Sequence, residues 1–204
     1  MALLCNEKFP GAKLLSGIIL IPMLLIPTSA ATLWQFMYHP SLGIFNKLLK
    51  LIGLSGKAWL SETSTVLSAI IFTDIWSWTP WMFLILYAGL QSLNESILEA
   101  AKVEGATYLQ SLWYMIIPMM KEIIFTALLL KGISTFSTFG YVQVMTQGGP
   151  GGASHILSTY VYKMSFMLLD YGKGSAYAII VLVLSIILSI PIVIYVLYRS
   201  RWEK

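Results

Sequence analysis

The sequence predicts an all-α bundle of membrane-spanning helices, and three observations carry that reading. Long apolar runs recur along the chain. Charged residues make up only 11% of it, against 57% hydrophobic. A single polar stretch, 91–121, interrupts the apolar pattern with clustered charge. Soluble domains carry about 25% charged residues, so a chain of 204 residues with mean hydropathy +0.77 reads as one polytopic membrane domain. The net charge of +4 is modest and fits lysines at the membrane interface, with no nucleic-acid surface. Cys5 is the single cysteine, which excludes an intrachain disulfide and a cysteine metal cluster. The opening segment, with Glu7, Lys8 and Pro10, lacks the apolar core of a cleaved signal peptide, so secretion is not expected.

A bilayer core needs about 20 mostly apolar residues per helix. The first candidate span covers 14–37, LLSGIILIPMLLIPTSAATLWQFM, where Pro22 and Pro27 are tolerable as kinks inside a bundle. The second covers 66–90, the third 122–145 and the fourth 176–198, the most uniformly apolar. Four spans put both termini on one side. With the termini inside, that side holds Lys8, Lys13, Lys102, Lys121, Arg199, Arg201 and Lys204, and the other Lys47, Lys50, Lys57, Lys163 and Lys173. The bias places the 91–121 loop in the cytoplasm. The segment FNKLLKLIGLSGK, from Phe45 to Lys57, reads as a short amphipathic helix at the outer interface.

Glu95, Glu99, Lys102 and Glu104 stand too close together for lipid, so the loop lies outside it. Asn94 can cap a helix starting at Glu95, with Ser96 and Glu99 as an alternative capping box. A continuous helix would align Ala101, Gly105, Tyr108 and Leu112 in one stripe. The alternative is that Gly105 ends the helix and turns the chain, with Pro118 marking re-entry. An ordinary amphipathic connector lying on lipid is the plainer reading of composition alone.

Glu99-Ala100-Ala101, then Gly105, then Met115-Ile116-Ile117-Pro118 resembles the EAA motif of bacterial and archaeal ABC importer permeases. That pattern prefers Ile and Leu where this chain has Met115 and Ile117. Asp74-Ile75-Trp76-Ser77-Trp78-Thr79-Pro80, Ala88-Gly89-Leu90-Gln91-Ser92-Leu93 and Met145-Thr146-Gln147-Gly148-Gly149-Pro150 resemble, in order, the sugar-permease branch of the maltose and glycerol-phosphate type. The resemblance covers almost the whole chain. Members of that type usually have six or more spans, and Met1 to Asn6 looks like the end of their second, so a fragment, a late start or a reduced form lacking the first spans is expected.

The resemblance implies a cell-membrane permease fold and a multi-pass subunit of an ATP-driven importer for a sugar or sugar-like solute. It implies a second permease subunit, two ABC ATPase subunits and an extracytoplasmic solute-binding protein as partners. ATP and magnesium would be bound on the ATPase, because Gly148 to Gly152 lacks the lysine and hydroxyl of a phosphate-binding loop. No cofactor or metal is expected on this chain, His39 and His155 having no acidic or cysteine companions, and no catalytic constellation emerges. Glu99, Ala100, Ala101 and Gly105 would couple the ATPase to the spans. Asp74, Trp76, Trp78, Thr79, Lys131, Ser134, Thr138 and Tyr141 are the candidate substrate path. Intramembrane charges face cavities, and aromatic faces suit the C–H faces of sugars. The alternatives are interface anchoring for Trp, helix-to-helix bonding for Ser and Thr, and a structural ion pair for Asp74 and Lys131. For the whole chain, the competing readings are a channel or scaffold without ATP coupling, a truncated inactive permease fragment, and an integral-membrane enzyme, for which the sequence offers no reactive cluster.

Overall fold

The computed structural model describes residues 1–6, 10–135 and 138–200, with backbone alone at 95, 102, 192–193 and 195–200. The regular elements among them are all helical: α1 (Ala2–Asn6), α2 (Ala12–Leu20), α3 (Pro27–Met37), α4 (Ile44–Leu51), α5 (Val66–Gln91), α6 (Glu95–Val103), α7 (Tyr108–Ser111), α8 (Ile117–Thr135), α9 (Phe139–Met145), α10 (Leu157–Tyr162) and α11 (Tyr171–Ser200). The predicted all-α bundle is therefore the fold observed.

Among the described residues, α5 and the Tyr171–Pro191 part of α11 are long and apolar enough to cross a membrane. The segments Ala12–Leu24 and Pro27–Met37 make a third if counted together, but they are bent by 104°. The expected first span is thus a broken helix. Ile21–Leu24 tightens into a 3-10 turn, and Pro27 starts α3 at a position where its missing N–H costs nothing. Ile26, which precedes it, is forced out of the helical region to φ −65, ψ 138. The expected segment 122–145 is divided between α8, which starts earlier at Ile117, and α9; residues 136 and 137 lie outside the described residues. The last helix starts at Tyr171, ahead of the expected 176.

The core joins α3, α5 and α9. Ala30, Ala31 and Trp34 of α3 are buried against Val66, Ala69 and Ile70 of α5 and Tyr141, Val142 and Met145 of α9. Small residues let these backbones approach closely, as membrane bundles require in the absence of a hydrophobic drive between helices. The Tyr38 hydroxyl donates to the Ala69 carbonyl at 3.1 Å and ties the end of α3 to α5. Where α5 crosses α8, a Cβ on Gly89 would lie 2.7 Å from Ile123 Cδ1, so glycine lets the Ile123 side chain pack against the α5 backbone. By contrast α11 leaves a long apolar surface bare, with 6% of its most apolar window buried against 28% for α5.

α5 has 26 residues, about 39 Å at 1.5 Å per residue. That length separates two ends of the molecule: segment 38–65 at Val66, and α6 at Gln91.

Candidate functional site

At the Gln91 end, the side-chain oxygen of Asn94 accepts from the Ser96 N–H at 3.1 Å and from the Ser96 hydroxyl at 2.8 Å. Asn94 is the cap the sequence predicts, and the Ser96 hydroxyl points back to it. Gly105 has φ +83, a left-handed conformation that glycine adopts without penalty. The Ala106 N–H then donates to the Ala101 carbonyl at 3.0 Å, closing the helix from beyond its end. The predicted stripe through Ala101, Gly105, Tyr108 and Leu112 is therefore broken at Gly105, and the alternative of a helix ending there is the one realised. Thr107 caps the next helix reciprocally with Gln110. This Thr-x-x-Gln box was readable in the sequence and was missed. α7 continues through a π-helical turn, Leu112–Ile116, into α8, and Pro118 sits inside α8 near its start.

The four coupling candidates divide. Ala101 is 2% exposed, so its small size serves packing within the chain itself. Glu99 and Ala100 face outward. Beside them Val103 is 88% exposed and Ile97 also protrudes, two apolar residues the sequence reading did not single out. α6 thus offers one carboxylate, one small residue and two apolar side chains on an open surface, on a rod of 9 residues ending in a glycine turn.

The second constellation lies midway along α5. Lys131 Nζ sits 2.6 Å from Asp74 Oδ2, with 22% and 16% of the two side chains exposed. The ammonium also lies 4.8 Å from the Trp78 ring centroid. The other Asp74 oxygen is buried and has no partner among the described residues. The ion-pair alternative for these two residues is thus the observed geometry, and it bridges α5 to α8.

Trp78, Ser134, Thr138 and Tyr141 line a cavity of about 340 Å³, together with Ser77, Trp81 and the broken turn at Pro22, Met23, Leu25 and Pro27. Irregular backbone within a membrane bundle is tolerated where it borders a cavity. Ser77 and Tyr141 hydroxyls bond to each other. Ser134 donates to the Lys131 carbonyl at 2.8 Å and Thr138 to the Thr135 carbonyl at 2.9 Å. Their protons are committed to backbone, while one hydroxyl of the Ser77–Tyr141 pair keeps its own, so the wall offers mostly oxygen acceptors, with one O–H donor and indole faces. A neutral polyol, rich in O–H donors and with C–H faces, matches such a wall. Besides the Asp74–Lys131 pair, two candidates lie elsewhere. Trp76 packs edge-on to Trp34 with ring centroids 5.3 Å apart and belongs beside the core. Thr79 donates to Ile75 of its own helix and, with Lys131, borders a separate and more apolar hollow. The 22–27 break was expected only as kinks at Pro22 and Pro27, and Trp81 was missed; Trp81 stands one helical turn from Ser77, a spacing that could have found it.

Residues 2–202 match the family described as binding-protein-dependent transport system inner membrane component. The chain is 36% identical over 200 residues to the trehalose/maltose transport system permease protein MalF of Thermococcus litoralis, a match covering 98% of this chain and 67% of that protein. It is 32% identical over 185 residues to the sulfoquinovosyl glycerol transport system permease protein SmoG of Agrobacterium fabrum, covering 91% of this chain and 60% of the relative. Its fold superposes with TM-score 0.85, at 23% identity, on a chain from the crystal structure of a bacterial ABC transporter involved in import of the acidic polysaccharide alginate, covering 94% of this chain and 68% of that one.

Proposed function

The chain belongs to the family of binding-protein-dependent transport system inner membrane components, and we propose that it is a membrane-spanning permease subunit of an ATP-driven importer for a sugar or sugar-like solute. The reading is supported by the sugar and sugar-glycerol transport permeases among its relatives. One observation carries it: α6, an exposed rod between two capped turns, is joined directly to the end of α5.

In this reading α6 faces the cytoplasm and seats in a groove of an ABC ATPase, which binds the ATP and magnesium. A second permease subunit completes the path, and an extracytoplasmic solute-binding protein delivers the solute. Closure of the ATPase pair pulls α6. Glu99 supplies the polar contact, while Ala100, Ile97 and Val103 supply the close apolar one. The pull enters α5 through Ser92, whose hydroxyl donates to the Gly89 carbonyl at 2.8 Å. It enters α8 through α7 and its π-helical turn. Because Asp74 and Lys131 clamp α5 to α8, the two helices move as one body and open or close the cavity beside Tyr141. The solute meets the hydroxyl oxygens of Ser77, Ser134 and Thr138 and the face of Trp78.

The test is co-expression with the neighbouring permease, ATPase and solute-binding protein genes, followed by purification and reconstitution. The reading predicts a stable complex and ATP-dependent sugar accumulation that Gly105→Asp abolishes while hydrolysis persists. Uptake and coupling unchanged in that variant would refute the role given to α6.

A further inference from the structure

We propose that α4 is a docking site for the phosphate headgroups of anionic phospholipid, its apolar stripe inserted among the acyl chains beside the bundle. The proposal does not depend on the transport reading.

α4 has three faces. Phe45, Asn46 and Leu49 turn toward the protein: Asn46 is 2% exposed, and the Phe45 ring stacks 5.0 Å from Tyr38. Ile44, Leu48 and Leu51, one turn apart, form an exposed apolar stripe that Ile52 continues, with Leu51 81% exposed. Lys47 and Lys50 occupy the remaining face. An amphipathic helix in water rolls its apolar stripe inward unless something prevents it. Here Asn46 prevents it. Its amide nitrogen donates to the carbonyls of Pro40 and Lys57 at 2.9 and 2.8 Å. Its oxygen accepts from the Lys57 N–H at 3.0 Å and the Trp59 indole N–H at 2.9 Å. Rolling α4 over would strip all four bonds and drag a buried amide into apolar surroundings, so the exposed stripe is a fixed feature of the fold.

Position and charge name the occupant. α4 follows the bent segment ending at Met37 after a short turn and precedes the membrane-length helix α5, and the proposal sets it at the rim of the bundle, at headgroup depth. Within 38–65 there are three lysines against one glutamate, Glu62. Lys57, held 5.7 Å from the Trp59 ring centroid, extends the cationic edge past the end of α4. An apolar stripe flanked by flexible ammonium groups is the pattern of a helix lying in an anionic interface.

The experiment uses the purified full chain, with its partner subunits where they co-purify. It is reconstituted in phosphatidylcholine vesicles with or without phosphatidylglycerol. Cys5 is buried, so an environment-sensitive fluorophore on Leu51→Cys reports this site alone. Expected are a blue-shifted label quenched by brominated acyl chains and native mass spectra showing retained phosphatidylglycerol. Retention should fall about fivefold for each of Lys47→Gln, Lys50→Gln and Lys57→Gln. These lysines are exposed, so folding should survive; α6 amide exchange serves as the control. A water-exposed, unquenched label in both lipids overturns the proposal. So does shielding that appears only with a partner subunit or solute-binding protein, and so does retention indifferent to the lysines.

Discussion

The two ends of α5 carry helices of nearly equal length and opposite build. α4, with 8 residues, is pinned through the four hydrogen bonds of one buried asparagine, and its neighbour Tyr38 reaches across to the α5 backbone. α6, with 9 residues, is held by a single capping residue at its start and a left-handed glycine at its end, and Ala101 is its one fully buried side chain among those described. One end is built to keep its orientation. The other is a rod between two turns, with few contacts to hold it. The proposed coupling role asks for both: a fixed end, and an end where force is applied.

Breaking the link between the ends should have the largest effect. Lys131→Met leaves Asp74 with neither oxygen satisfied, and the cost is about 2–4 kcal/mol, below that of a fully buried pair because both side chains keep some exposure. Thermal unfolding of the purified protein should show the loss, and the double variant Asp74→Asn with Lys131→Met should regain much of it. Next comes the pinned end. Asn46→Ala orphans Lys57 and Trp59 donors at about 1–3 kcal/mol. Amide exchange at Lys57 should rise about tenfold or more, with α6 unchanged. At the free end the pattern reverses: Gly105→Ala should cost about 1–2 kcal/mol, through backbone strain alone, since a Cβ there meets nothing within 4 Å. α6 exchange should rise while Lys57 stays protected. Thr107→Ala, which removes a cap, should cost about 1 kcal/mol, read as faster exchange at Gln110.

The smallest effect is a pH response. Burial, with Lys163 nearby, holds His155 below the usual imidazole range. Because the folded state disfavours its protonation, stability contributed there is full above the unfolded imidazole value and is lost as pH falls from it through the lower folded value. Protection of the 146–155 amides, measured relative to their intrinsic exchange rates at each pH, should fall in mild acid, and His155→Gln should remove that dependence.

Helix content and the 66–90 span were legible because apolar length and composition dominate there: α5 starts and stops within a residue of the expected bounds. Asn94 and the Gly105 turn were legible as local capping chemistry. The ion pair was nameable as an alternative, because two opposite charges in apolar helices have few other options. What was not legible depends on how helices rotate against each other. Nothing local to Trp76 says that it faces Trp34 while Trp78 faces the cavity; only the placement of α3 and α9 around α5 decides it. The break at residues 21–26 was under-read for a similar reason. Proline signals a kink, but a 104° bend follows only when neighbouring helices and a cavity accept the freed backbone. Asn46 was hidden because its partners lie 6 to 13 residues away, in a segment with no periodicity to read.

In the proposed importer, α6 is the end that an ATPase grips from the cytoplasm. Ala100→Cys, probed with a membrane-impermeant maleimide in intact cells and in inverted vesicles, tests this directly. Labelling from the cytoplasmic side alone, suppressed when the ATPase is bound, is the predicted result; labelling from the outside would contradict it.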